Sequence, residues 1–217
     1  MITVKNIKKS YNGELVLKNI NLKIEDGEFV SIMGESGSGK STLLSIIGAY
    51  LMPDSGEVLW DGEDVLRFSD AKISAMRSSS VGFVFQSFKL IPTLNVKDNL
   101  LLPATLGKKV NEETLKYLDD LTRELKIDSL AHKFPEQLSG GQCQRVAIAR
   151  ALVYKPSVII LDEPTGALDS VMEERVMKIL KRVNETMGAT IIQVTHSERV
   201  AAYASRIIRL SDGEICV

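Results

Sequence analysis

The chain has 217 residues, with 27 Lys and Arg against 28 Asp and Glu, a net charge of −1, two cysteines and 44% hydrophobic side chains. That length fits one compact unit with a subdomain, and the core needs no disulfide or metal staples. The charge balance argues against a broadly basic nucleic-acid or anionic-lipid binder, and Cys143 and Cys216 are too few for a disulfide scaffold. The longest uncharged stretch, Ser41 to Pro53, is shorter than the roughly 18–20 residues that cross a bilayer. Met1-Ile2-Thr3-Val4-Lys5 reads as strand rather than as a leader. The expectation is a soluble protein of a reducing cytoplasm, with no direct membrane insertion.

In chain order, Ile2, Val4 and then Leu15, Leu17, Ile20, Leu22 and Ile24 alternate with polar residues, interrupted by Asn12-Gly13 and Asp26-Gly27 turns. Residues 29–33 form a short apolar strand running into Gly34, and an apolar helix follows from about Ser41. Residues 57–60, before Asp61-Gly62, read as one more edge strand, and 81–85 as a buried one. Residues 96–130 are helical in pattern, with Leu115, Leu118, Leu121, Leu125 and Ile127 set among charged residues. After Ser139-Gly140-Gly141 a helix runs from about Gln142 to Leu152. Then come a strand at 158–161, a helix at 170–187, a strand at 190–194, a helix at 197–203 and a strand at 206–210 with a turn at 211–213. Such alternation predicts an α/β fold with a mostly parallel sheet covered by helices on both faces. No internal repeat, low-complexity tract or linker interrupts it.

Gly34-Glu35-Ser36-Gly37-Ser38-Gly39-Lys40-Ser41 fits G-x-x-x-x-G-K-[ST] at every fixed position, between a strand and a helix. Glycines let the backbone wrap a phosphate so that successive N–H groups and a helix N-terminus face the anion. Lys40 is placed to reach the terminal phosphates and the Ser41 hydroxyl to bind Mg²⁺. Four apolar residues then carry Asp162 and Glu163 to the C-terminal end of a buried strand, where open α/β sheets bind ligands. Asp162 is the expected Mg²⁺ partner through water, and Glu163 the residue that polarises the attacking water. These two motifs alone fit a GTPase, a kinase or a recombinase equally well.

Leu138-Ser139-Gly140-Gly141-Gln142 discriminates among them. Ser139 is a good N-cap, and two glycines bare the backbone ahead of a helix, forming a second anion site with no lysine. Here the sequence resembles the nucleotide-binding subunits of ABC transporters along essentially its whole length. Residues 138–142 match the signature, 34–41 Walker A and 158–163 Walker B. Tyr11 matches the adenine-stacking aromatic, Gln86 the Q-loop, Ala167-Leu168-Asp169 the D-loop and His196 the switch histidine.

The resemblance implies a RecA-like P-loop NTPase core with an N-terminal antiparallel β-subdomain and an inserted α-helical subdomain. Residues 1–217 would then form one ABC ATPase domain, with 1–86 and 156–217 as the catalytic core and about 87–155 as the helical part. It implies ATP contacts from Tyr11, Gly34, Glu35, Ser36, Gly37, Ser38, Gly39, Lys40, Ser41 and Thr42. Ser41, Gln86 and Asp162 would be the residues around Mg²⁺. It implies too that two such subunits pack head to tail, so that Ser139, Gly140, Gly141 and Gln142 serve the γ-phosphate of the opposite copy, and that Asp169 of the D-loop belongs to the nucleotide-binding residues. Glu163, His196, Gln86 and Lys40 would carry the in-line attack of water on the γ-phosphate.

One residue departs from the family pattern: Cys143 stands where a second Gln or Glu is common, and reads as a small half-buried helix residue rather than a redox switch. Chromosome-type relatives separate their Walker motifs by a long coiled coil, and translation-type relatives join two ATPase domains; this chain does neither. Within transporters, residues 81–88, Leu90-Ile91-Pro92, 99–103 and 164–170 are most similar to the MacB- and LolD-like and the Bce-type export or resistance ATPases. An amino-acid importer subunit is the alternative, and a nucleic-acid-maintenance ATPase a weaker one. The implied partner is a separate integral membrane permease, MacB/FtsX-like or Bce-like, which would hold the subunit at the cytoplasmic face of the cell membrane. Phe88, Leu90 and Ile91 are candidates for its docking groove, with core packing the equal alternative. The transported substrate is not legible, because the ATPase never touches it.

Overall fold

The computed structural model describes residues 1–216. Two strands, β1 (Ile2–Tyr11) and β2 (Glu14–Ile24), form a hairpin whose turn residues Asn12 and Gly13 have φ of 51° and 85°. Positive φ at both positions marks the turn whose twist matches that of paired strands. The apolar residues of β2 change parity, from Leu15 and Leu17 to Ile20, Leu22 and Ile24. Bulges reconcile them: the β1–β2 register slips on both sides of Ile7, and Asn19 takes φ of 59°. Leu17, Ile20, Leu22 and Ile24 all face inward as a result, and Leu15 is left exposed.

β3 (Phe29–Met33) is buried at every residue and leads into α1 (Lys40–Ile47). β4 (Ser55–Trp60) pairs with β1 on one side and with β5 (Glu63–Asp64) on the other, giving an antiparallel sheet of order β2-β1-β4-β5. The strand expected at an edge is therefore interior, because the Asp61-Gly62 turn folds β5 back over its free side. α2 (Asp70–Ser80), capped by the Ser69 hydroxyl, buries none of its residues. It has no apolar stripe, so nothing in the sequence pattern marked it.

β6 (Val81–Val84) follows, and the expected helical stretch 96–130 is broken into α3 (Val96–Leu106) and α4 (Glu112–Glu124) around Gly107 and Lys108. Then come α5 (Gly140–Leu152), β7 (Val158–Asp162), α6 (Ser170–Met187), β8 (Thr190–Val194), α7 (Glu198–Ala201), β9 (Arg206–Ser211) and β10 (Glu214–Cys216). α7 is one turn rather than the longer helix expected at 197–203, and β10 lies beyond the last expected strand.

The main sheet has the order β10-β9-β3-β8-β7-β6, with all neighbours parallel except β10 and β9. Alternate residues of its strands feed two separate cores. Phe29, Ile159, Leu161 and Ile191 pack with the α3–α6 side, while Val30, Ile160, Ile192 and Val194 pack with α1 and the antiparallel sheet. Burial of both faces explains why β3, β7 and β8 read as continuous apolar runs. The C-terminal ends of β3, β7 and β8 lie side by side, bringing Gly34, Asp162 and Thr195 to one rim. Among the described residues no helix is long and apolar enough to cross a membrane.

Candidate active site

The loop between β3 and α1 is shaped by close approach. A Cβ on Gly34 would lie 2.0 Å from the Leu210 carbonyl oxygen, so β9 admits only glycine there. Gly39, at φ of 97°, stands at the N-cap of α1 with no side chain covering the helix end, which leaves its first amides open to an anion. Lys40 is buried, and its Nζ donates to the carbonyls of Gly34 (2.9 Å) and Glu35 (2.5 Å) and to Ser38 Oγ (3.5 Å). All three partners are neutral, so the ammonium charge is held in place by the loop without being cancelled by these contacts.

The next residue reaches across to β7. Ser41 Oγ donates to Asp162 Oδ1 at 3.0 Å. Burial pushes the Asp162 carboxyl above the usual carboxylate range and the charge of Glu163 adds to this, against the Ser41 hydrogen bond and the charge of Lys40. Together with the amide of Gln86, just past β6, this is a set of hard oxygen donors beside a phosphate loop and suits Mg²⁺.

Glu163 has φ of 51°, a left-handed conformation that is uncommon for a non-glycine residue and is held where contacts favour it. Here three contacts do so: its N–H donates to Val194 O, and its carbonyl accepts from Gly166 N–H and from Gln144 Nε2. The side chain is thereby turned into the rim, where Oε1 lies 3.0 Å from His196 Nδ1.

These groups line one cleft of about 640 Å³. Of the residues singled out in the sequence, the cleft brings together Tyr11, Gly34, Ser36, Gly37, Gly39, Lys40, Ser41, Thr42, Gln86, Asp162, Glu163, Ala167 and His196. Tyr11 stands half-exposed at the end of β1. The cleft also contains Val16 and Gln144, which sequence reasoning missed, and Phe88, which the sequence suggested for the docking groove instead. Gln144 is buried and acts on Glu163 through its backbone; its only sequence signal is its place two residues past the signature.

Glu35 and Ser38 line a separate depression beside the β9–β10 turn. Ser139, Gly140, Gly141, Gln142 and Asp169 are likewise not among the residues lining the cleft. Ser139 and Gln142 form a capping box at the start of α5: Ser139 Oγ accepts from Gln142 N–H, and Gln142 Oε1 accepts from Ser139 N–H. Asp169 caps α6 by accepting from the N–H groups of Val171 and Met172. The two turns are neighbours, since a Cβ on Gly141 would be 2.9 Å from Ala167 O. Cys143 is half-buried and burial pushes its thiol up, while the nearby Arg145 is spent on the carbonyls of Leu125, Lys126 and Gly141. That is the environment of a structural thiol.

A second depression, of about 300 Å³, has an aromatic floor. Phe83 stacks on Phe85 at 4.1 Å, Tyr50 meets Phe83 edge-on at 4.9 Å, and Arg77 lies over the Tyr50 ring. Of the segment Phe88–Ile91 only Lys89 lines it; Phe88 faces the first cleft, and Phe88 and Leu90 pack on the helical core.

The profile of the family described as "ABC transporter" matches residues 17–166. The uncharacterised ABC transporter ATP-binding protein MJ0796 of Methanocaldococcus jannaschii is 47% identical, over 99% of this chain and 95% of its own length. The bacitracin export ATP-binding protein BceA of Halalkalibacterium halodurans is 41% identical, over 97% of this chain and 85% of its own. The macrolide export ATP-binding/permease protein MacB of Campylobacter jejuni is 45% identical over 99% of this chain, which spans only 33% of that longer protein. Among solved structures, the MJ0796 cassette in a dimeric post-hydrolysis state bound to ADP and Pi superposes with a TM-score of 0.93, at 45% identity over 99% of this chain and 96% of that one. The profile match begins in β2 and ends beyond Glu163, taking in the phosphate loop, the signature turn and the paired acids, and the chain belongs to the ABC transporter family of ATP-binding proteins.

Proposed function

We propose that this chain is the ATP-hydrolysing subunit of an export or resistance transporter. Two copies close head to tail on MgATP and drive a separate membrane permease, which holds them at the cytoplasmic face. The observation that carries this reading is the juxtaposition of Glu163, held in the left-handed region, with His196 on one side and the Ser41–Asp162 pair on the other.

In this reading the open amides of the loop and the ammonium of Lys40 bind the β- and γ-phosphates, and Tyr11 flanks the base. Ser41, with Asp162 and Gln86 nearby, would hold Mg²⁺, which when bound would supply charge neutralisation to the phosphates. The Glu163 carboxylate accepts a proton from the attacking water as its oxygen bonds to the γ-phosphorus and the bond to the bridging oxygen breaks. His196 holds the γ-phosphate from the other side, and Lys40 stabilises the charge that passes to the leaving ADP. The signature turn and Asp169, adjacent to each other but outside their own chain's cleft, are left for the nucleotide of the second copy. The relatives BceA and MacB are named for export, which favours an export permease of Bce-like or MacB/FtsX-like type. The aromatic depression around Tyr50 and Phe83 is the surface offered to an amphipathic helix of that permease.

The test is phosphate release from MgATP by the purified chain, followed beside sedimentation of the Glu163→Gln variant with ATP. Release in the parent, and an ATP-dependent dimer without release in the variant, are the expected results. Normal turnover in the variant would remove Glu163 from its role.

A further inference from the structure

Gln193 lies in the middle of β8, fully buried, directly opposite Ser31 of β3 in the sheet register. Both point to the face that carries Phe29 and Ile191, toward α7. Gln193 Nε2 donates to Ser31 Oγ at 2.7 Å and to Val200 O at 3.1 Å, and Ser31 Oγ donates onward to Ala201 O at 3.3 Å. The contact with Val200 fixes the sense of the amide, because the reversed group would set two carbonyl oxygens against each other. In this sense Gln193 Oε1 has no partner, and it is the one buried side-chain polar atom so placed among the described residues.

An unpaired acceptor in an apolar core is a cost that an aliphatic side chain of the same length would avoid. The other end of the amide accounts for it. α7 has a single turn, too short to persist unaided, and begins two residues after His196. The Ser197 hydroxyl caps its start by accepting from Val200 N–H, while Gln193 and Ser31 take up the carbonyls of its last two residues. The loop between is pinned on the near side, where Thr195 N–H donates to Ile32 O and Ser197 N–H to Thr195 Oγ1. Ser31 precedes Gly34 by three residues, as Gln193 precedes His196. One buried amide thus ties the strand that delivers the phosphate loop to both sides of the histidine loop.

We infer that Gln193, acting with Ser31, is a positioning residue for His196, setting α7 and hence the place of the imidazole against Glu163 and the terminal phosphate. This rests on the reading of His196 as a γ-phosphate contact, and the experiment separates the two. Gln193→Met keeps the length and removes the orphan acceptor; Ser31→Ala removes only the relay and serves if the first variant does not fold. The expected result for Gln193→Met is a thermal midpoint equal to or above that of the parent. With it, kcat for MgATP should fall by about tenfold while KM stays within about twofold, since the residue touches no nucleotide. Ser31→Ala should show a smaller fall of the same kind. In a His196→Ala background neither substitution should lower kcat further, because coupled residues are not additive. A kcat unchanged in both single variants, while His196→Ala lowers it, overturns the inference and leaves the role of His196 standing. Losses that multiply fully with that of His196→Ala also overturn it. If His196→Ala itself leaves kcat unchanged, the reading of His196 falls and the inference with it.

Discussion

Arg150 Nη1 donates to the Lys89 carbonyl at 2.7 Å, while its Nη2 donates to the Phe88 carbonyl at 2.7 Å. Phe88 and Lys89 are consecutive left-handed residues, with φ of 61° and 49°, a conformation that costs a bulky side chain of the order of 1–3 kcal/mol. One guanidinium on α5 therefore holds the strained turn that follows Gln86. Phe88 of that turn faces the nucleotide cleft and Lys89 faces the aromatic depression, so the clamp lies between the two surfaces.

Releasing the clamp should be felt at both. Arg150→Met removes two charge-assisted hydrogen bonds and should destabilise the protein by about 2–3 kcal/mol, read as a lower denaturation midpoint. KM for ATP should rise severalfold as Phe88 relaxes. Arg150→Lys should rescue little of either effect, because one ammonium cannot reproduce the forked geometry. A midpoint and KM equal to the parent's would show that the turn is held by other contacts.

Glu163→Gln keeps the shape of the carboxylate but removes its ability to take a proton. ATP affinity should stay within about threefold of the parent, and phosphate release should fall by at least about a hundredfold. Equilibrium binding of labelled ATP and single-turnover release measure the two separately, and a large loss of affinity would mean that Glu163 serves binding rather than chemistry.

How much of this was legible in the sequence follows from where the information lies. β3, β8 and α6 were readable to the residue. The two strands are buried on both faces as short apolar runs, and α6 starts on the Asp169 cap and ends on Gly188 at φ of 65°. α2 was not, because a helix with no buried residue carries no periodic signal. The interior position of β4 depends on which strand pairs with it, and alternation along one strand does not name its neighbours. In the site, the phosphate loop, Asp162, Glu163 and His196 were readable from their sequence motifs. Gln144 and the Gln193–Ser31 pair were not, since no motif names them and their contacts, Gln144 to Glu163 and Gln193 to Ser31, exist only once the fold brings the elements together.

Ser41 joins the phosphate loop to Asp162 through a single hydroxyl, so Ser41→Ala should act chiefly through the metal. The Mg²⁺ concentration for half-maximal hydrolysis should rise by about tenfold or more, while a saturating Mg²⁺ level should restore part of kcat. Titration of phosphate release with MgCl₂ at fixed ATP gives the value. An unchanged Mg²⁺ requirement would confine Ser41 to a structural hydrogen bond.

The aromatic depression gives the last expectation. Arg77 lies 4.7 Å from the Tyr50 ring centroid and donates to the Ala49 carbonyl, so its charge joins those of Lys89 and Arg150 around the aromatic floor. An amphipathic permease helix that fills such a surface would place apolar side chains on Phe83 and Phe85 and a carboxylate toward Arg77. Arg77→Glu reverses that charge far from the phosphate loop. Capture of the proposed permease partner should weaken by more than about tenfold, the cost of setting like charges against each other at an interface. ATP-dependent dimerisation of the free subunit should persist. The reversal on the permease side, acid to lysine, should recover binding to Arg77→Glu but not to the parent. Equal capture by parent and variant would place the docking surface elsewhere on the subunit.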